Sequence, residues 1–154
     1  SRADRLSEAR QIEQTICSWV PFPRVSKRSS QTVARLGAQE IWRNTAILYL
    51  HQAVYHSDCN HDAVKNSVKQ IIRTASTLKP GGNPDCFLAV PYFIAGSFAT
   101  SIASRHQLRS RLLQCGNEQY LRDLVDTLEE LWRETDVTGH HISWSTKQPP
   151  TFIF

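Results

Sequence analysis

The longest apolar stretch, Cys86–Ser104, constrains the fold more than any other part of this chain. It holds no charged residue, with Asp85 before it and Arg105 after it. A membrane-spanning helix needs about 20 mainly apolar residues, and this stretch only just reaches that length. A proline, a glycine, a tyrosine and several serines and threonines dilute it. We therefore favour a buried core helix over a membrane span, and we expect the other segments to wrap around it.

Five other segments carry apolar residues at intervals of three and four, which is typical of amphipathic helices. No segment alternates polar and apolar residues as a half-buried strand would. The sequence therefore predicts an all-α fold, a helical bundle of about six helices around a central apolar helix. The five amphipathic segments cover residues 3–18, 32–56, 64–78, 106–115 and 118–134.

Pro91 lies inside the apolar stretch, and a proline has no amide hydrogen with which to continue a helix through its interior. We expect a short helix over 85–90 and a longer one over 91–104, so that the central apolar helix is broken at Pro91. Gly96 is flanked by small alanines at helical spacing, which leaves room for a second helix to approach closely. Pro91 and Gly96 are therefore the two predicted structural positions.

The composition suits one domain covering residues 1–154. Its four cysteines stand far apart, which favours reduced thiols in a cytosolic or nuclear protein over a disulfide framework. The net charge of +4 comes from scattered basic residues in the first half of the chain, as expected for a solvated surface. Because the chain opens inside a helical pattern without an initiator methionine, we expect it to be a fragment of a longer protein.

Catalytic and metal-binding motifs are not recognisable in this sequence. His51 and His56 are five residues apart, so a helix turns them away from each other, and neither belongs to an H-E-x-x-H pattern. His140 and His141 lie in a polar stretch and are expected to face solvent. The carboxylates of 118–134 fall on the exposed side of a helix. The chain is therefore predicted not to be an enzyme and to hold no metal or other cofactor.

Four short motifs nevertheless resemble, in order, those of the fungal-specific transcription factor domain. Glu40–His51 is similar to that family's "yR-x-AaliYLh" helix, and Trp19–Pro23 to its W-x-P-P step. Val90–Gly96 is similar to its W-P-L-F-I-A-G motif, with valine where tryptophan is usual. Leu128–Trp132 resembles its penultimate helix, and residues 141–154 resemble its end. The matches extend over roughly residues 12–150.

The resemblance implies the C-terminal part of the regulatory region of fungal zinc-cluster transcription factors. It implies control of transcriptional activation in the nucleus, with possible shuttling to the cytoplasm, through intramolecular, dimer or partner contacts. In some members it also implies sensing of a small apolar metabolite such as a sterol. Zinc is expected only in an N-terminal DNA-binding module absent here. This segment itself is expected to bind neither nucleic acid nor membrane.

If a ligand pocket exists, we expect aromatic residues near the apolar stretch to line it. The alternative for each is plain core packing. Two further functions stay open, a protein–protein interaction module without a ligand and, more remotely, a helical enzyme of unrecognised type. An enclosed cavity beside Phe93 favours sensing, whereas an open apolar patch favours the interaction module. The candidate lining residues are Trp42, Tyr49, Tyr92, Phe93, Phe98 and Trp132.

Overall fold

A computed structural model describes residues 1–20, 30–81 and 87–147. These residues form six α-helices, one π-helical turn and one 3-10 turn, and they contain no strand, which confirms the predicted all-α fold. The α-helices are α1 (Arg2–Ser18), α2 (Ser30–Leu50), α3 (Asp62–Ala75), α4 (Ala89–Phe98), α5 (Ile102–Leu113) and α6 (Gln119–Thr138); the π-helical turn is His51–Tyr55 and the 3-10 turn is Trp144–Thr146.

The second amphipathic segment, predicted as one helix over 32–56, divides into α2 and the π-helical turn. His56 ends the turn in the left-handed conformation, with φ of 50°. The amide of Ser57 then donates to the carbonyl of His51 at 3.0 Å and closes the wide turn. Ile41 and Leu48 lie on the inward face of α2 and are fully buried. This helix therefore forms one wall of the core.

The predicted break at Pro91 is wrong. Helix α4 begins two residues earlier, so Pro91 occupies its first turn. First-turn amides have no acceptor within the helix, and a proline there disrupts no helical hydrogen bond. The chain leaves the helix instead at Ala99, whose backbone is extended, and Ser101 caps α5 through its hydroxyl. Part of the predicted 85–90 helix lies outside the described residues.

Helix α4 is buried at every position except the partly buried Val90. It contacts α2, α3, α5 and α6. A Cβ atom added at Gly96 would lie 2.9 Å from a methyl carbon of Leu128 on α6. The indole nitrogen of Trp132 donates to the Gly96 carbonyl at 2.8 Å. Helix α6 therefore crosses α4 at its glycine, where the missing side chain allows the close approach.

After α6 the chain turns back along the bundle. Gly139, with φ of 72°, ends α6 in a conformation that glycine adopts without steric cost. Lys147 then forms ion pairs with Glu130 and Glu134 of α6. From the sequence, the apolar end of the tail 148–154 is predicted to dock on the bundle, and these residues lie outside the described ranges. In the described ranges, no helix combines the length and apolar character required to cross a membrane.

Candidate functional site

Four of the six aromatic residues predicted to line a ligand pocket lie in the core. The ring of Phe93 meets the edge of Trp144 at 6.1 Å between centroids. The ring of Phe98 stacks on His141 at 4.5 Å. Phe93 and Phe98 therefore each pack against the ring of another side chain. The buried four are Tyr92, Phe93, Phe98 and Trp132.

The other two core rings face cations. The guanidinium of Arg111 lies 5.8 Å from the centre of the Tyr92 ring, and that of Arg105 lies 5.5 Å from the Trp132 ring. A guanidinium over an aromatic face is attracted by the ring quadrupole. Arg105 also pairs with Asp136 through two oxygens, which lowers the pKa of that exposed carboxyl. These contacts hold α5 against α6 and α4.

The remaining two candidates, Trp42 and Tyr49, lie on the opposite side of α2 from the core and are 41% and 54% exposed. Ala46 and Ala53 are exposed on the same side. Three of these residues lie on α2, and Ala53 lies on the π-helical turn that continues it; we call the four together the outer face of α2. Their spacing of four, three and four residues is that of a helix-packing stripe. Six residues expected around one pocket thus separate into a packed core and an exposed face.

Two cavities flank the outer face of α2. One, of about 350 Å³, has Trp42 and Ala46 on one side and Ile16 and Trp19 of the α1 end on the other. The second, of about 430 Å³, has Tyr49 and Ala53 in its wall, together with the 3-10 turn. Each pair of neighbouring large and small residues therefore lies beside a recess on the surface.

A hydrogen-bond network anchored on a buried histidine fixes α1 beside α2. The imidazole of His51 contacts Glu13 of α1 at 3.1 Å and Ser57 at 2.8 Å. The hydroxyl of Tyr55 donates to the second oxygen of Glu13 at 3.0 Å. Burial and this carboxylate raise the pKa of Tyr55. The π-helical turn thus directs His51 and Tyr55 together onto α1.

Sequence reasoning missed this network, because Glu13 and His51 are 38 residues apart and nothing in either segment signals the pairing. It also placed His141 in solvent, whereas only His140 is exposed. Both ring nitrogens of His141 are buried without a hydrogen-bond partner among the described residues. Burial lowers the pKa of His141, because the charged imidazolium loses its hydration.

Over residues 1–20, 30–81 and 87–147, no three His, Cys, Asp or Glu side chains gather closely enough to hold a metal ion. Burial and the neighbouring Asp58 carboxylate raise the pKa of the Cys59 thiol to about 11. That thiol therefore stays protonated at neutral pH, which makes it a poor nucleophile and a poor metal ligand.

Comparison with known protein families identifies the family of this chain. The family model described as "fungal specific transcription factor domain" matches residues 1–148. No curated protein and no solved structure matches the chain. The matched range spans all six helices and the 3-10 turn, including the outer face of α2 and the buried aromatic residues. The chain therefore belongs to the fungal specific transcription factor domain family.

Proposed function

We propose that this chain is the regulatory domain of a nuclear transcription factor and that it acts by pairing with a second copy of itself through the outer face of α2. The family supports the regulatory role, since it is a family of transcription-factor domains and not of enzymes. The observation that carries the pairing is the exposed stripe of alternating large and small apolar residues. Exposed apolar side chains grouped on one helix face are typical of interaction surfaces.

The order of residues on the outer face of α2 is self-complementary. If two copies of α2 cross antiparallel about a twofold axis between Ala46 and Tyr49, each tyrosine lies opposite an alanine of the partner. The same axis places Trp42 opposite Ala53. Alternating large and small side chains allow facing helices to interdigitate, and a twofold contact uses the same patch on both subunits. None of the four residues is charged.

The surface beside the stripe also suits such a contact. The recess of about 350 Å³ next to Ala46 lies where the incoming tyrosine ring would enter, and Ile16 and Trp19 form its apolar far wall. Trp19 is 45% exposed, and Ile12 of α1 is also exposed. The tie between Glu13 and His51 holds α1 at this position. Helix α1 would then extend the contact along one side of α2.

The other expected functions do not involve pairing through the outer face of α2. In this proposal, specific DNA reading and zinc binding belong to a separate module, and shuttling of the full protein is a further expectation. Sensing of a small apolar ligand by Trp42, Tyr49, Tyr92, Phe93, Phe98 and Trp132 stays a prediction. Organic extraction of the purified domain, followed by mass spectrometry, tests it, and an extract free of any bound apolar species contradicts it.

A size-swap experiment tests the pairing. Ala46→Tyr places tyrosine against tyrosine across the twofold axis, and Tyr49→Ala places alanine against alanine. Each single change should weaken dimerisation by about tenfold or more, equivalent to about 1.4 kcal/mol. The double variant restores a large residue opposite a small one and should recover the dimer. Sedimentation equilibrium measures the dissociation constant of each protein.

Two controls make the size swap decisive. The helix content and melting temperature of the dilute monomer should be unchanged in all three variants, because both positions are exposed. Ala103→Tyr, at an exposed position of α5, should leave the dissociation constant unchanged. A wild-type chain that stays monomeric at every concentration, or single variants that dimerise as tightly as the wild type, would refute pairing through this face.

A further inference from the structure

A basic cleft lies between α3 and the junction of α4 with α5. Its volume is about 600 Å³, within the range of small-molecule sites. One rim consists of Lys65, Lys69 and Arg73, which follow each other at intervals of one helical turn on α3. We call this feature the basic cleft. None of the six aromatic residues except Phe98 lines it.

Among the described residues, the rim cations have no acidic partner. Within the described ranges, the side chains of Lys65, Lys69 and Arg73 form neither an ion pair nor a hydrogen bond. No described residue lining the cleft carries a carboxylate. Elsewhere in the fold Arg105 and Lys147 each pair with acidic residues. Like charges one turn apart on a helix repel each other, so an anion in the cleft would relieve an existing repulsion.

The floor of the cleft is apolar and uncharged. Val68 and Phe98 are buried but contribute to its wall, and so does Cys59. Asp58 accepts a hydrogen bond from the Cys59 thiol at 3.0 Å, and this carboxylate is not among the lining residues. The protonated thiol adds no negative charge that would repel an anion. A purely polar ligand would leave this floor uncovered.

The far rim adds hydroxyl groups. Ser101 donates its hydroxyl hydrogen to the Ser104 hydroxyl oxygen at 2.8 Å. This arrangement leaves the Ser104 hydroxyl hydrogen available for an oxyanion, as a hydroxyl is both donor and acceptor. The cleft therefore combines cations on one rim, hydroxyls on the other and an apolar floor between them.

From this combination we infer that the basic cleft binds an amphiphilic anion, a carboxylate or phosphate monoester that carries an apolar chain. The anionic head lies between Lys69 and the serine rim, and the chain lies along the apolar floor beside the partly buried Ile72. A free amphiphile and a lipid headgroup share this chemistry. The inference does not depend on pairing through the outer face of α2, because no residue is common to the two surfaces.

Three probes that differ in one property test the inference by calorimetric titration. Octyl phosphate, kept below its micelle concentration, carries both the charge and the chain. Inorganic phosphate carries only the charge, and octanol carries only the chain. We expect octyl phosphate to bind at least about tenfold more tightly than either of the others. Equal affinity for octyl phosphate and either single-property probe would overturn the inference.

Matched variants locate the binding. Lys69→Gln should weaken octyl phosphate binding by about tenfold, and Lys69→Arg should retain it. Lys79→Gln removes an exposed lysine that does not line the cleft and should have no effect. Unchanged binding in Lys69→Gln, or an equal loss in Lys79→Gln, would overturn the site. Thermal melting of each variant checks the fold.

A final arm separates the two sources of the ligand. Phosphatidylserine vesicles are titrated with the wild type and with Lys69→Gln. Binding that requires Lys69 assigns the cleft to a lipid headgroup, whereas binding of octyl phosphate alone assigns it to a free amphiphile. Binding of neither probe by the folded wild type would overturn the inference.

Discussion

Helices α2 and α4 both carry aromatic residues in segments that resemble family motifs, yet the two sets lie in opposite environments. On α4, Tyr92 and Phe93 are completely buried. On α2, Trp42 and Tyr49 are about half exposed. An aromatic residue in a family motif therefore does not by itself indicate a core or a ligand pocket.

The difference follows from how many apolar faces each helix carries. Helix α4 is apolar on all sides, and such a helix must be surrounded by protein. Helix α2 buries Ile41 and Leu48 on one face and leaves a second apolar face partly exposed. The first helix is therefore enclosed by protein on all sides, whereas the second leaves one apolar face partly exposed.

The largest expected effect tests this contrast with two aromatic truncations. Phe93→Ala should reduce the free energy of unfolding by about 3–5 kcal/mol, since it empties a packed core site. Tyr49→Ala should change it by less than about 0.5 kcal/mol in the dilute monomer, because the ring is exposed. Urea denaturation followed by circular dichroism measures both. Similar losses in the two variants would break the comparison.

A smaller effect is expected where α6 crosses α4. Gly96→Leu should lower the free energy of unfolding by about 1–3 kcal/mol, because the new side chain meets the buried Leu128. Ala103→Leu, at an exposed position of α5, serves as the control and should be nearly neutral. The same denaturation assay applies. Wild-type stability in Gly96→Leu would mean that α6 does not approach α4 as described.

The smallest effect concerns the covering of Phe98 by His141. Burial lowers the pKa of His141 in the folded chain. At a pH below the ordinary histidine pKa of about 6.5, His141 therefore binds a proton more readily in the unfolded chain than in the folded one. The stability that neutral His141 contributes is present above that pH and is lost as the pH falls through the folded pKa. His141→Phe keeps a ring on Phe98 and should weaken this acid dependence.

Melting temperatures between pH 7 and pH 5 test the His141 prediction. The exposed His140 provides the matched control, since His140→Gln should leave the acid dependence as in the wild type. An identical pH profile in His141→Phe and the wild type would show that the ring is not buried against Phe98.

The sequence predicted the helical class because apolar periodicity is local and repeated in every segment. The sequence did not predict where α4 begins. A proline such as Pro91 suits either the first turn of a helix or a break between two helices, and the packing of the folded chain decides between them. The contact between Glu13 and His51 could not be predicted either, because the two residues are distant in sequence and only folding places their side chains 3.1 Å apart. The sequence shows that Trp42 and Tyr49 are aromatic, but it does not show whether they are buried. Their burial depends on which face of α2 the neighbouring helices pack against.

Sedimentation equilibrium of the wild type, Ala46→Tyr, Tyr49→Ala and the double variant tests the central claim most directly. Pairing through the outer face of α2 predicts a dimer for the wild type and the double variant, with weaker association in each single variant. A monomeric wild type, or a double variant no better than the single variants, would contradict it.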